Sequence, residues 1–226
     1  MDFRSSDVGA WKEALSSYSS RIESLNKPNL ISLDEFYTIK LPSLLHKRSP
    51  NPYITTPELS KLMQWKLSRG KWRPRLLDYV SSLDEELVKS ASQKAFQSLP
   101  DVSKAVTQLT VLKGVGPATA SAVLAAYAPH ITPFMSDEAM VAALGNTKEY
   151  TLKQYLSFVN ILQKKAKVVP VISLIMELSE DGDNFTPSDV ERALWSSAVQ
   201  AKLLPSKADL ESKTNMPRDT KRKRKR

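Results

Sequence analysis

The residues with the most distinct chemical potential form a short hairpin, Lys113-Gly114-Val115-Gly116, set between two apolar helical patterns. Gly114 and Gly116 can take positive φ without a Cβ clash, so the backbone there can turn sharply and approach a ligand closely. Pro117 suits the first position of a helix, where the missing N–H costs nothing. The free N–H groups of the turn, backed by the positive end of the next helix, then make a small anion site fitted to a phosphate. Lys113 stands beside that site, and Ala118 and Thr119 open the helix that follows. A second concentration of charge lies at residues 66–75. Lys66, Arg69, Lys71, Arg73 and Arg75 make five of those ten residues basic, with Trp65 and Trp72 flanking the centre. Cations interleaved with indoles suit phosphate contacts combined with base stacking. The same stretch also fits a solvated basic turn whose tryptophans anchor it to the core.

The elements that position these residues read as helices. Val102, Ala105, Val106, Leu109 and Leu112 recur at three- and four-residue spacing before the hairpin, and Ala120, Val123, Leu124 and Tyr127 do so after it, which predicts one apolar face on each helix. Residues 11–25 repeat Trp11, Leu15, Tyr18, Ile22 and Leu25 as an amphipathic helix. Ser32-Leu33-Asp34-Glu35 and Ser82-Leu83-Asp84-Glu85 each have capping-box spacing and predict helix starts, the first helix being bent or broken at Pro42. Thr56-Pro57-Glu58 predicts another start, with Thr56 as N-cap. A short helix is expected up to Leu144, stopped by Gly145-Asn146. A longer helix carries Leu152, Tyr155, Leu156, Val159 and Leu162. The apolar run 168–178 is read as helix, and Thr186-Pro187-Ser188-Asp189 caps a last helix. Alternating strand patterns are nearly absent, so the expectation is an all-α domain of about ten helices spanning residues 1–204, followed by a polar, basic tail at 205–226.

The run Leu112-Lys113-Gly114-Val115-Gly116-Pro117-Ala118-Thr119-Ala120, with Asp137 after the second helix, resembles the DNA glycosylase superfamily named for a helix-hairpin-helix, a Gly/Pro-rich loop and an aspartate. That resemblance implies a two-lobed helical glycosylase-like fold with the hairpin at the lobe junction. The N-terminal helix and the last helices would form one lobe together. It implies contacts from Lys113, Gly114, Val115, Gly116, Ala118 and Thr119 to DNA backbone phosphates, and it makes Asp137 the catalytic carboxylate, with Glu138 as the alternative. Lys113 replaces the family's proline, and the residues after Asp137 depart from the family motif. Ala118 stands where bifunctional members carry their nucleophilic lysine, so the resemblance predicts base excision without lyase chemistry, since alanine cannot form a Schiff base. Asp137 also fits a plain helix N-cap, with Ser136 competing for that place.

The chain has 226 residues, a formal net charge of +9 and no cysteine. The missing thiols exclude disulfides, cysteine zinc sites and iron–sulfur clusters. His46 and His130 lie far apart in sequence and read as surface or capping residues. No metal or cofactor is expected. Residues 207–226 hold nine basic and three acidic side chains, a net +6 that leaves only about +3 for the folded part. Lys221, Arg222, Lys223, Arg224, Lys225 and Arg226 read as a nuclear localisation signal for an import receptor, or as a purely electrostatic arm. No apolar run is long enough to span a membrane, and the first residues lack the apolar core of a signal peptide. The sequence therefore points to a nuclear DNA-binding protein, non-catalytic or weakly active. A monofunctional glycosylase is the enzymatic alternative, and a protein-interaction module with a merely structural hairpin is the third.

Overall fold

The computed structural model describes residues 2–145, 149–175 and 185–203, with only the backbone at 169–175, and every regular element among them is helical. The N-terminal amphipathic stripe becomes two consecutive helices, α1 (Val8–Ser16) and α2 (Tyr18–Ser24), joined at Ser17. Asp7 caps α1 through the N–H of Ala10, and Trp11, Ala14, Tyr18 and Ile22 form the buried edge of the pair.

The next helix corrects the expected cap, and at Pro42 it excludes the break. It begins at Leu30, behind Asn29 in the left-handed region, so Ser32 to Glu35 lie inside α3 (Leu30–Glu35) and cap nothing. Ser32 instead donates to the Asn29 carbonyl. Asp34 turns inward, where its Oδ1 accepts from the Tyr18 hydroxyl and the Trp65 indole N–H, each at 2.7 Å. Those two donors offset much of the cost of burying a carboxylate. Pro42 does not break the helix either. A π-helical segment (Phe36–Lys40) runs straight into α4 (Leu41–Lys47), with the Leu41 N–H bonded to the Phe36 carbonyl. The wider turn falls where the proline ring would crowd the preceding α-turn, and the rod continues through it.

α5 (Thr56–Arg69) starts one residue earlier than predicted, with Thr55 as N-cap in a complete capping box with Glu58. Arg48 grips the same Glu58 in a two-point ion pair at 2.6 and 2.8 Å. α6 (Pro74–Ser81) and α7 (Glu85–Ser98) follow. Asp84, not Ser82, caps α7 through the Leu87 N–H. Glu85 is thereby free to accept from the Thr56 N–H and tie the start of α7 to the start of α5.

α8 (Val102–Leu109) and α9 (Pro117–Tyr127) are the helices on either side of the hairpin. α9 departs from the predicted single face: residues 119–126 are all buried. A helix apolar all round belongs in the interior, and its alanines let α4, α5, α7, α8 and α11 (Leu152–Ile175) pack around it. α10 (Asp137–Leu144) ends at Gly145, whose φ of +85° terminates the helix as expected; Asn146 lies outside the described residues. The apolar run is helical through Ile175, and 176–178 also lie outside them. α12 (Pro187–Leu203) opens with a reciprocal Thr186–Asp189 cap. It packs on α1, α2, α10 and α11, so the first and last helices share one core that contains the fully buried Trp11, Trp65 and Trp195. The tail from 204 onward lies outside the described residues.

Candidate functional site

Three stretches far apart in sequence converge on one cleft of about 700 Å³: the end of α5 with the turn after it, the hairpin with the start of α9, and the segment leading into α10. Of the predicted residues, Lys66, Arg69, Lys71, Arg73, Gly114, Gly116, Ala118, Thr119 and Asp137 line it. Lys113 is exposed, with its ammonium 4.6 Å above the Tyr79 ring. Val115 is buried in the core. Arg75 is exposed on α6, away from the cleft wall. Residues 221–226 lie outside the described residues.

Only one of the two hairpin glycines needs its conformational freedom. Gly114 has φ +86°, and a Cβ there would sit 2.9 Å from the Cβ of Tyr79. Gly116 is extended at φ −96° and ψ −178°, with open space where a Cβ would go. It therefore serves as N-cap of α9 without steric compulsion. Among the described residues, the N–H groups of Gly114, Gly116 and Ala118 have no hydrogen-bond acceptor, whereas Val115 is satisfied by the Leu112 carbonyl. Unpaired donors at a helix start are the feature that binds oxyanions.

The basic stretch divides by burial. Trp65 is wholly buried, stacked on Tyr37 at 3.5 Å, and acts as the anchor. Trp72 is 55 % exposed beside Lys71 and Arg73. Arg69 is not a surface cation. It is 6 % exposed, pairs with buried Glu191 at 2.9 Å, and lies over the rings of Trp195, Trp65, Phe134 and Tyr18. Ser136 donates to the same Glu191 oxygen. Burial pushes the Glu191 carboxyl upward while Arg69 and Ser136 pull it back. The Arg69–Glu191–Ser136 chain thus clamps the end of α5 and the start of α12 to the residue before Asp137. Lys27, which sequence reasoning passed over, donates to the carbonyls of Ser68 and Gly70 and so caps the end of α5.

Asp137 is the first residue of α10, and neither it nor Ser136 caps the helix with its side chain. Its Oδ1 accepts from the Tyr150 hydroxyl at 2.7 Å. Burial, together with the Asp137 carboxylate, pushes the Tyr150 phenol up to about 12, against the influence of nearby Arg73. Burial pulls the Lys66 ammonium down to about 8, helped by Arg73 and opposed by Asp137. Glu138, the alternative carboxylate, is engaged elsewhere: burial raises it, but Lys202 at 2.9 Å outweighs burial and holds it below the usual range. Phe134, Tyr150 and Trp195 supply aromatic surface to the cleft.

Tyr150 and Glu191 were not found from the sequence. No local pattern marks Tyr150. Glu191 had a signal, since a lone acid among Val190, Leu194 and Trp195 on a helix start must be either exposed or paired. Among the described residues no group of acids and histidines could hold a metal ion. Comparison with known protein families, curated proteins and solved structures returns no match, so the functional reading rests on the geometry of this cleft.

Proposed function

We propose that this chain is a DNA-binding protein of the nucleus that uses a two-lobed, glycosylase-like arrangement, with the hairpin at the lobe junction and the cleft facing DNA. One observation carries the reading: a single cleft gathers the unpaired N–H groups of the hairpin, the exposed cations Lys71 and Arg73, and the carboxylate of Asp137. The donors and cations suit the phosphate backbone, and exposed Trp72 offers a face for an unstacked base. Binding is expected to be tolerant of sequence and to weaken steeply with salt, because each neutralised phosphate releases counterions. With about three phosphates held, the slope of log affinity on log salt should be near −3. Gly116→Asp is the decisive variant. A Cβ at that position meets nothing within 4 Å, so the fold tolerates it while a carboxylate enters the anion site. Titrated by fluorescence anisotropy against a duplex, it should lose at least about tenfold in affinity, with or without residues 205–226. Unchanged binding by this variant would remove the hairpin from the interface.

A second reading, base excision, is favoured by the placement of Asp137 among aromatic walls and by its freedom from helix capping. A flipped base needs a pocket with stacking surfaces and an anion near the sugar. Excision through Asp137 would be monofunctional as far as the hairpin is concerned, because Ala118, which lines the cleft there, has no nucleophilic group.

Nuclear entry is assigned to residues 221–226. A large reporter fused to 205–226 should accumulate in nuclei, and the same reporter without the six basic residues should not. Equal distribution of the two in fluorescence images would refute the assignment.

A further inference from the structure

The cleft contains an amine that the base-excision chemistry above leaves unused. Lys66 projects from α5 into it, partly buried, and has no hydrogen-bond or ion-pair partner among the described residues. Two other lysines of the cleft are committed, Lys27 to the end of α5 and Lys202 to Glu138. Lys71 stands in solvent. Asp137 lines the same cavity and lies close enough to act electrostatically on Lys66, as does Arg73 from the turn before α6. A lysine taken out of water beside another cation is the usual route to a nucleophilic amine.

We propose that Lys66 is a nucleophile that forms a Schiff base with an aldehyde entering the cleft. That the aldehyde is the ring-opened sugar of an abasic site rests on the DNA reading above. The Lys66 Nζ lone pair attacks the carbonyl carbon, and the attacking nitrogen gives up a proton as the carbonyl oxygen becomes a hydroxyl. Protonated, that hydroxyl leaves as water, and a carbon–nitrogen double bond replaces the carbonyl. The Asp137 carboxylate then takes a proton from the adjacent carbon, the freed electron pair forms a carbon–carbon double bond, and the phosphate β to the imine departs. Water hydrolyses the imine and restores the amine, so the cycle needs no oxidant or reductant. Ala118 thus removes the amine from the hairpin, while α5 supplies another to the same cavity.

Burial gives Lys66 the required form. With its ammonium drawn down to about 8, the neutral fraction near pH 7.5 is on the order of a hundredfold above that of an ordinary lysine. The test uses the full chain, borohydride, and two probes: 4-carboxybenzaldehyde and a duplex carrying one abasic site. Reduced adducts are located by peptide mass spectrometry, which separates Lys66 from the lysines of the tail. With the small aldehyde, Lys66 should be labelled at least about tenfold above the average exposed lysine, rising between about pH 6.5 and about pH 8.5 as the amine is freed. The abasic duplex should give the same modified peptide. Lys66→Arg keeps the cation but forms no imine at these pH values; it should lose both adducts, with circular dichroism reporting an intact fold. Labelling of Lys66 by the small aldehyde but not by the duplex would uphold the amine and discard the abasic site as its substrate, while the DNA reading itself stands or falls with Gly116→Asp. Small-aldehyde labelling of Lys66 no stronger than that of the exposed lysines would overturn the proposal.

Discussion

Arg69→Ala should destabilise the fold by about 3–5 kcal/mol, the usual result of stripping one partner from a buried ion pair. The magnitude follows from what is left behind. Glu191 would keep only the Ser136 hydroxyl, in a site that already disfavours its charge. The guanidinium now fills a box of four rings, Tyr18, Trp65, Phe134 and Trp195, so its removal also leaves a void beside them. Urea denaturation followed by tryptophan fluorescence measures the loss. The double change Arg69→Met with Glu191→Leu provides the contrast. It removes both charges and keeps most of the volume, and should recover most of the lost stability. If Arg69→Ala costs less than about 1 kcal/mol, the pair is not what clamps α5 to α12. The double variant carries a functional expectation as well. Ser136 loses its acceptor, so the segment entering α10 is less firmly held, and any activity through Asp137 should fall even where stability is restored.

The second large effect concerns Asp137→Asn. Asp137 does not cap α10, so the change removes charge without removing a helix cap. The amide oxygen can still accept from Tyr150, and the expected change in stability is within about 0.5 kcal/mol, as for substitutions that disturb no buried network. DNA affinity should be equal to or slightly above that of the parent, because one negative charge leaves the cleft. Excision, assayed under single-turnover conditions on a panel of duplexes each bearing one damaged base, should drop by roughly two or more orders of magnitude. A parent that excises some base while Asp137→Asn does so equally well would exclude this carboxylate from the chemistry. A parent that excises nothing from a broad panel would leave DNA binding as the function of the cleft.

Much of the helical architecture was legible because helix patterning is local. The three- and four-residue repeats of Trp11, Leu15, Tyr18 and Ile22, or of Val102, Ala105, Val106 and Leu109, face the core they predict, with Leu15 partly rather than fully buried. Helix starts were read less well. In Ser32-Leu33-Asp34-Glu35 the spacing matched a cap, but Asp34 found better partners in Tyr18 and Trp65, one of them from a helix thirty-one positions away. The other two misses were local: Thr55, not Thr56, stands three residues before Glu58 and closes the capping box, and Asp84, three residues before Leu87, caps α7 in place of Ser82. Arg69 illustrates the limit at the site. Its neighbours Lys66, Lys71 and Arg73 made it look like one more surface cation, and only the arrival of Glu191 from α12 turned it inward. A spacing rule sees neighbours along the chain; a buried charge is decided by neighbours across it. Gly114 and Gly116 likewise looked equivalent until Tyr79 was brought against one of them.

The packing of α1 on α12 also sets the order in which this protein can be made. Trp11 and Tyr18 leave the ribosome well before Trp195, the partner of the Tyr18 ring at 5.3 Å, which follows Tyr18 by 177 residues. At about 5–20 residues per second, the N-terminal helices wait roughly ten seconds or more with their apolar edge uncovered, and Arg69 waits about two thirds as long for Glu191, 122 residues further on. The local units, α5 with α6 and α7 with α8, can assemble during translation, whereas the closure that completes the core pays for a long loop at the end. A ribosome stalled before α12 would therefore hold a chain that retains helices but has unpaired charge at its centre, a natural client for a chaperone that binds exposed apolar surface.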